Sequence, residues 1–248
     1  QLHAKDFDIA NNKVLDFSAK ELAGDEDYWS VIQQAYTVSP NIINLNNGGV
    51  SPSPRVVQEA VERYNKLSNE GPSYFMWRIL DMGREPLRQK LALLAGCDAE
   101  EIAINRNATE SLNTVIFGLD LKPGDEVIGT KLDYPNMINA WKQRAMRDGI
   151  QYTQISFNFP GENDDEIVEA YAKAITPKTK AIVPVHLYGQ AADMEAIMQI
   201  AREHNLYVVE DNAQGIGNDF FFSDGSSRKT GSIGHIGCTS FYPSKNLG

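Results

Sequence analysis

The chain has 248 residues, 42% of them hydrophobic and 23% charged, with a formal net charge of −10. That length supports one large or two small domains with a sizeable core, and the acidic balance argues against nucleic-acid partners, whose phosphates need a basic face. No apolar run approaches the roughly 20 residues needed to cross a bilayer, and two cysteines, Cys97 and Cys238, are too few for a disulfide scaffold.

The start, QLHAKDFDIANNKV, carries no secretory signal, so a cytoplasmic location is expected. Residues 1–50 read as an N-terminal arm, irregular over 1–40 apart from a short amphipathic helix around Asp27 to Tyr36. Residues 51–248 read as one domain. From Pro54 to Ser68, Val56, Val57, Ala60, Val61 and Tyr64 recur at helical spacing. The aromatic run YFMW (74–77) suits a pocket wall or an oligomer interface. REPLRQKLALLA (84–95) is a second helix, stopped by Gly96.

A rhythm follows. Strands are predicted over 101–106, 125–130, 151–156, 180–185, 206–210 and 238–242, and helices over 108–119, 136–149, 164–175 and 193–205. Such alternation implies βαβ units, hence an α/β fold of three layers: a mainly parallel sheet with helices on both faces. Ligands of these sheets sit beyond the carboxyl ends of the strands. The acidic stretch GENDDEIVEA (161–170) reads as a solvated helix start. SDGSSRKTGSIGHIG (223–237) reads as a surface hairpin or loop. The four histidines, His3, His186, His204 and His235, show no ligand spacing, so no metal site is expected.

Chemistry-bearing residues cluster at predicted strand ends. Asn107 and Glu110 fit a capping box, and the N–H groups of Ala108 and Thr109, with the Thr109 hydroxyl, suit a phosphate. The blander reading is a helix cap alone. Tyr134, in KLDYPNM, could stack on a flat cofactor or merely cover a helix end. Asp211 ends the run LYVVED, where a buried carboxylate needs a partner such as a protonated ring nitrogen; it could equally cap the next turn. Gln214 offers donor and acceptor to a phenolate, and Ser240 can donate to a phosphate. Lys245 follows a strand and a proline turn, where an amine can form a Schiff base; a solvated surface charge is the alternative. His186 and Tyr188, in VHLYGQ, end a strand near the same place, with packing and turn formation as the bland reading. Together, phosphate site, stacking ring, acid and amine are the contacts that pyridoxal 5′-phosphate requires.

VPVHLYGQAADMEAIMQIAREHNLYVVEDNAQGIG and GSIGHIGCTSFYPSKNLG, over about 183–248, resemble the DegT/DnrJ/EryC1/StrS sugar aminotransferases. The resemblance implies fold type I of the pyridoxal-phosphate enzymes, with 51–248 as its large, cofactor-binding domain. It implies Asp211 at the pyridine nitrogen, Gln214 beside the cofactor, Lys245 as the Schiff-base lysine and Ser240 at the phosphate. Upstream, INLNNGGVSPSPRVVQEA, NATESLNTVIFGLDLKPGDEV and DYPNMINAWKQRAMRDGI resemble class V aminotransferases of the isopenicillin-N epimerase type. That similarity implies Ala108 and Thr109 in the phosphate loop, Tyr134 as the stacking residue, and Asn47 and Gly48 near substrate; His186, from its place at a strand end, is a further substrate-side candidate. The two resemblances make the chain look chimeric, with a seam near 175–185, and C-terminally incomplete. The implied activity is transfer of an amino group from an amino acid such as glutamate to a keto sugar nucleotide, by a homodimer. The alternatives are a class V aminotransferase, epimerase or desulfurase acting on an amino acid, or a non-catalytic cofactor-binding fragment.

Overall fold

The computed structural model describes residues 12, 14–39, 41–45, 51–157, 165–241 and 245. Two compact units divide the chain: Gln1–Gly83 with Pro243–Gly248, and Arg84–Tyr242.

In the first unit, α1 (Ala19–Ala23) is a helix the sequence reading missed. Its signal was present: Ser18 accepts the Glu21 N–H at 3.3 Å while the Glu21 carboxylate accepts the Ser18 N–H at 2.8 Å, a reciprocal capping box. The predicted amphipathic helix is α2 (Glu26–Gln34), capped by Asp25, which accepts the Tyr28 N–H at 2.9 Å. α3 (Arg55–Glu70) follows and stops at Gly71. A single turn, Pro72–Tyr74, leads into a π-helical segment, Phe75–Leu80. Val56, Val61, Tyr74 and Trp77 are exposed; Leu22 is the buried apolar side chain among the described residues of this unit.

The second unit begins with α4 (Arg84–Ala95). Gly96 takes φ 69°, and the Cys97 N–H returns to the Ala92 carbonyl at 3.1 Å. That left-handed cap is open to glycine and strained for most other residues. Residues 102–107 join no ladder, so the strand predicted over 101–106 is corrected to a single 3₁₀ turn, Ala99–Glu101, and a coil. Apolar alternation is present there, but no strand among the described residues offers it a ladder of hydrogen bonds.

The remaining elements alternate as expected: α5 (Ala108–Gly118), β1 (Glu126–Thr130), α6 (Pro135–Asp148), β2 (Gln151–Ile155), α7 (Asp165–Ala174), β3 (Thr179–Ile182), α8 (Met194–His204) and β4 (Tyr207–Asn212). A hairpin of β5 (Asp219–Phe221) and β6 (Ser227–Lys229) precedes β7 (Ile236–Thr239), so the hairpin starts a few residues before the predicted stretch. The sheet runs β2-β1-β3-β4-β7, and all its pairings are parallel.

Successive strand residues feed opposite faces. Val127, Ala181 and Val209 pack with Leu112 and Ile116 of α5 and Met137, Ala140 and Trp141 of α6. Ile128, Ile182 and Val208 pack with Met194 and Ala201 of α8, and Tyr171 of α7 joins them. The three-layer α/β architecture therefore follows from the two-residue period of the strands. Strand order reverses at β1: β2 lies on one side of it and β3 on the other. Such a switch point opens a crevice at the carboxyl ends of the strands.

Candidate active site

A cleft lies where the topology places it. Its walls are Leu112, Ile116, Met137, Trp141, Val183, Val185 and Val209, and its polar groups are Asp133 and Asp211. Asp133 follows β1, Val183 and Val185 follow β3, and Asp211 closes β4. An isolated parallel bridge, Val185 to Asp211, extends the sheet to this point.

Asp211 is 7% exposed and accepts the Ala213 N–H at 3.1 Å. Its backbone is clamped by β3's extension: the Asp211 N–H donates to the Pro184 carbonyl at 2.9 Å, and the His186 N–H donates to the Asp211 carbonyl at 3.0 Å. The carboxylate therefore enters an apolar cleft from a fixed strand, a setting that suits a cationic partner. Cys238, opposite Asp211 in the sheet, is buried. Burial, together with the neighbouring Asp211 charge, pushes its thiol up to about 12, so it is no nucleophile near neutral pH.

α5 forms one wall of the cleft through Leu112 and Ile116 and packs against β7. At its N-terminus Asn107 accepts the Glu110 N–H at 2.9 Å. The expected capping box is displaced by one residue, because the Glu110 carboxylate takes the Arg106 N–H at 2.7 Å. The N–H groups of Ala108 and Thr109 have no acceptor within the helix, so this end favours an anion. Ser240 is buried directly after β7. Tyr134 caps α6 between two cleft-lining residues, Asp133 and Met137; its ring is 58% exposed, and its hydroxyl accepts the Asn136 amide at 3.1 Å. The Gln214 side-chain oxygen accepts the Tyr188 N–H at 3.0 Å. The amide's oxygen is thereby assigned, and its donor end is what a phenolate would take.

His186 is 0% exposed, its Nδ1 accepts the Ala192 N–H at 3.1 Å, and its Nε2 lies 2.8 Å from Glu210. Both ring nitrogens are engaged in the interior, which is the packing role weighed beside a substrate contact. Glu210, which the sequence reading passed over, is equally buried and also accepts the N–H groups of Gly231, Ile233 and Gly234 at 2.7, 2.8 and 2.6 Å. Burial raises its carboxyl, but the bonds from His186, Gly234 and Gly231 outweigh that and hold it below the usual range. The signal was a charged residue inside an apolar strand and a histidine just beyond the end of the adjacent one. Tyr188 and Gly189 shape the intervening turn with φ 54° and 82°.

Lys245 is half-buried and groups with the first compact unit, so it is not among the residues the second unit brings together by itself. Asn47 and Gly48 lie outside the described residues. Among the described residues no cluster of His, Cys, Asp and Glu could hold a metal ion, and no helix is long and apolar enough to cross a membrane.

Known proteins resemble this chain in sequence and in fold. A profile of the DegT/DnrJ/EryC1/StrS aminotransferase family matches residues 84–248. The chain belongs to this family. The match runs back well beyond residue 183, across the place where a seam was expected. Among curated family relatives, the UDP-N-acetyl-3-dehydro-alpha-D-glucosamine 3-aminotransferase of Acidithiobacillus ferrooxidans is 39% identical over 145 residues, 57% of this chain and 36% of its own. Two solved structures share the fold. C-DES, a cystine C-S lyase with glycine covalently linked to its PLP cofactor, gives a TM-score of 0.63 at 26% identity, over 74% of this chain and 51% of that one. DesV of S. venezuelae, in complex with a ketimine intermediate, gives 0.51 at 30% identity, over 75% and 48%. The chain thus spans about a third to a half of the length of these relatives, and its fold is that of fold-type-I pyridoxal-phosphate enzymes.

Proposed function

We propose that this chain carries the cofactor-binding part of a pyridoxal-phosphate-dependent aminotransferase, one that moves an amino group from an amino acid such as glutamate to a keto sugar nucleotide. The observation that carries the reading is Asp211 at the carboxyl end of β4, in an apolar cleft that α5 walls through Leu112 and Ile116. The family membership and the sugar-nucleotide relative support it.

The residues present fit the cofactor. The N–H groups of Ala108 and Thr109 and the hydroxyls of Thr109 and Ser240 would supply donors to its phosphate. Tyr134 offers a ring to its face, and the Gln214 amide a donor to its phenolate. Asp211 would pair with the ring nitrogen and keep that nitrogen protonated. Bound there, pyridoxal phosphate supplies an electron sink for the substrate carbon. Lys245 would supply the amine that holds the cofactor and would move a proton at the substrate carbon. We place these groups in a domain running from about residue 51, behind an N-terminal arm, with Asn47 and Gly48 near substrate, in a cytoplasmic homodimer without nucleic-acid or membrane partners.

The second reading is an enzyme of the epimerase or desulfurase kind acting on an amino acid. The C-DES likeness and the class V resemblance of the front half favour it. A non-catalytic cofactor-binding fragment is the remaining alternative. One experiment separates the three. The purified chain is incubated with pyridoxal phosphate, its visible absorption is recorded, and borohydride is used to fix the cofactor. Amino transfer from glutamate is then assayed beside sulfur release from cysteine. The proposal expects cofactor fixed on Lys245, amino transfer without sulfur release, and loss of turnover by roughly 100-fold or more in Lys245→Ala. Unchanged turnover in that variant would overturn the assignment of Lys245.

A further inference from the structure

The cleft holds a second carboxylate that the functional reading leaves unused. Asp133 sits in the turn between β1 and α6 and points back into it. One oxygen accepts the Thr130 N–H at 2.8 Å and the other accepts the Thr130 hydroxyl at 2.7 Å. The Thr130 hydroxyl oxygen in turn accepts the Leu132 N–H at 3.1 Å. On the far side lies the Tyr152 hydroxyl, 3.4 Å from Asp133. Tyr152 is itself backed by Trp141, with ring centroids 6.1 Å apart and planes 19° from parallel. The seat is tailored to the carboxylate, for a Cβ at Gly129 would stand 2.6 Å from Asp133 Oδ2 and 2.6 Å from the Tyr152 hydroxyl.

Burying this acid is unfavourable. Desolvation raises its carboxyl, and the bonds from Thr130 and Tyr152 only partly offset that. The same burial, with the nearby Asp133 charge, pushes the Tyr152 phenol up as well. A perturbed carboxyl lining a cleft is a functional candidate. The next residue in the chain says what it does. Tyr134 follows directly, has no side-chain cap of its own, and is tied at its tip to Asn136. Its backbone leaves directly from the turn that the Asp133–Thr130 bonds close.

We propose that Asp133 is a positioning residue, whose carboxylate ties the end of β1 to the start of α6 and thereby fixes the ring of Tyr134 at the rim of the cleft that Asp211 lines. The inference rests on the reading that a flat cofactor ring occupies that cleft.

The test uses the 248-residue chain with Asp133→Ala, Asp133→Asn and Tyr134→Ala, and the double variant Asp133→Ala/Tyr134→Ala. Pyridoxal-phosphate affinity is measured by fluorescence titration, and visible circular dichroism reports the asymmetry of the bound ring. Amide exchange of the peptide spanning 130–136 reports the turn. Asp133→Ala should weaken affinity about tenfold, the scale of one charge-assisted hydrogen bond. It should also reduce the dichroism as Tyr134→Ala does and speed exchange. Asp133→Asn, which keeps an acceptor for Thr130, should restore all three. The double variant should bind no worse than the worse single one. If Asp133→Ala fails to fold, Asp133→Glu carries the same test, since its longer arm overshoots Thr130. Loss of affinity in Tyr134→Ala but not in Asp133→Ala would overturn the inference alone, as would additive losses in the double variant. No uptake of pyridoxal phosphate by the unmodified chain would overturn the functional reading and this inference with it.

Discussion

Glu210 and Asp211 are neighbours on β4, and the strand's alternation sends them to opposite sides of the sheet. Asp211 enters the cleft. Glu210 enters the interior, where His186 and three backbone N–H groups surround it. The division explains how a strand can end in two acids without their charges competing for one partner. It also gives a stability prediction with a definite sign. Because the Glu210 carboxyl is held below its usual value, its contribution is present above the unfolded-state pKa, about 4.3. That contribution is lost as pH falls through the folded value. Glu210→Gln should therefore cost about 3 kcal/mol near neutral pH. The deficit should shrink steadily below about pH 4, where the parent chain protonates too. Melting temperatures of both chains from pH 7 to pH 3 check this; a deficit independent of pH would mean that the ionised carboxylate is not what the interior binds. Asp211 was legible in the sequence as an acid at a strand end. Glu210 and His186 were less so, because burial of a polar pair depends on how two strands align, and one chain read residue by residue does not show that alignment.

At the scale of elements, helices and parallel strands were legible because their period and their caps are local. α4 to α8 and β1 to β4 fall within a few residues of their predicted bounds for that reason. Residues 101–106 show the limit: alternation satisfies the side chains, while a strand also needs a backbone partner. α1 was missed from the opposite side, since its five residues carry too little periodicity and only the Ser18 and Glu21 cap marks them. Long-range capping was invisible as well. The buried guanidinium of Arg144 on α6 donates to the carbonyls of Ile116 and, at 2.7 Å, Leu119 at the end of α5, and pairs with Asp148 at 3.1 Å. A cation at a helix C-terminus satisfies carbonyls that the helix cannot. Arg144→Met keeps the apolar stem and removes those donors. It should destabilise the chain by about 2 to 3 kcal/mol, with the largest loss of amide protection in the last turn of α5. Denaturant unfolding and residue-resolved exchange measure the two parts; a loss spread evenly over the second unit would count against a capping role.

For the whole molecule, the second unit carries both packed faces of the sheet, and every group proposed for the cofactor except Lys245 belongs to it. Cofactor binding and folding of this unit should therefore be linked. A ligand that binds only the folded chain stabilises it by RT ln(1 + [L]/Kd), about 2.7 kcal/mol at a hundredfold excess over Kd. For a chain of this size that corresponds to a rise in Tm of roughly 5 to 10 °C. The rise should grow with the logarithm of pyridoxal-phosphate concentration. Pyridoxal without its phosphate should give a clearly smaller shift at equal concentration, because the N-terminus of α5 and the hydroxyls of Thr109 and Ser240 would have no anion to hold. Lys245→Ala should keep part of the rise, since it removes the covalent hold and leaves the phosphate and ring contacts in place. Scanning calorimetry across a concentration series of each compound gives the comparison. Equal shifts for the two compounds would remove the phosphate site from the proposal, and a flat response to both would mean that the folded chain does not take up the cofactor.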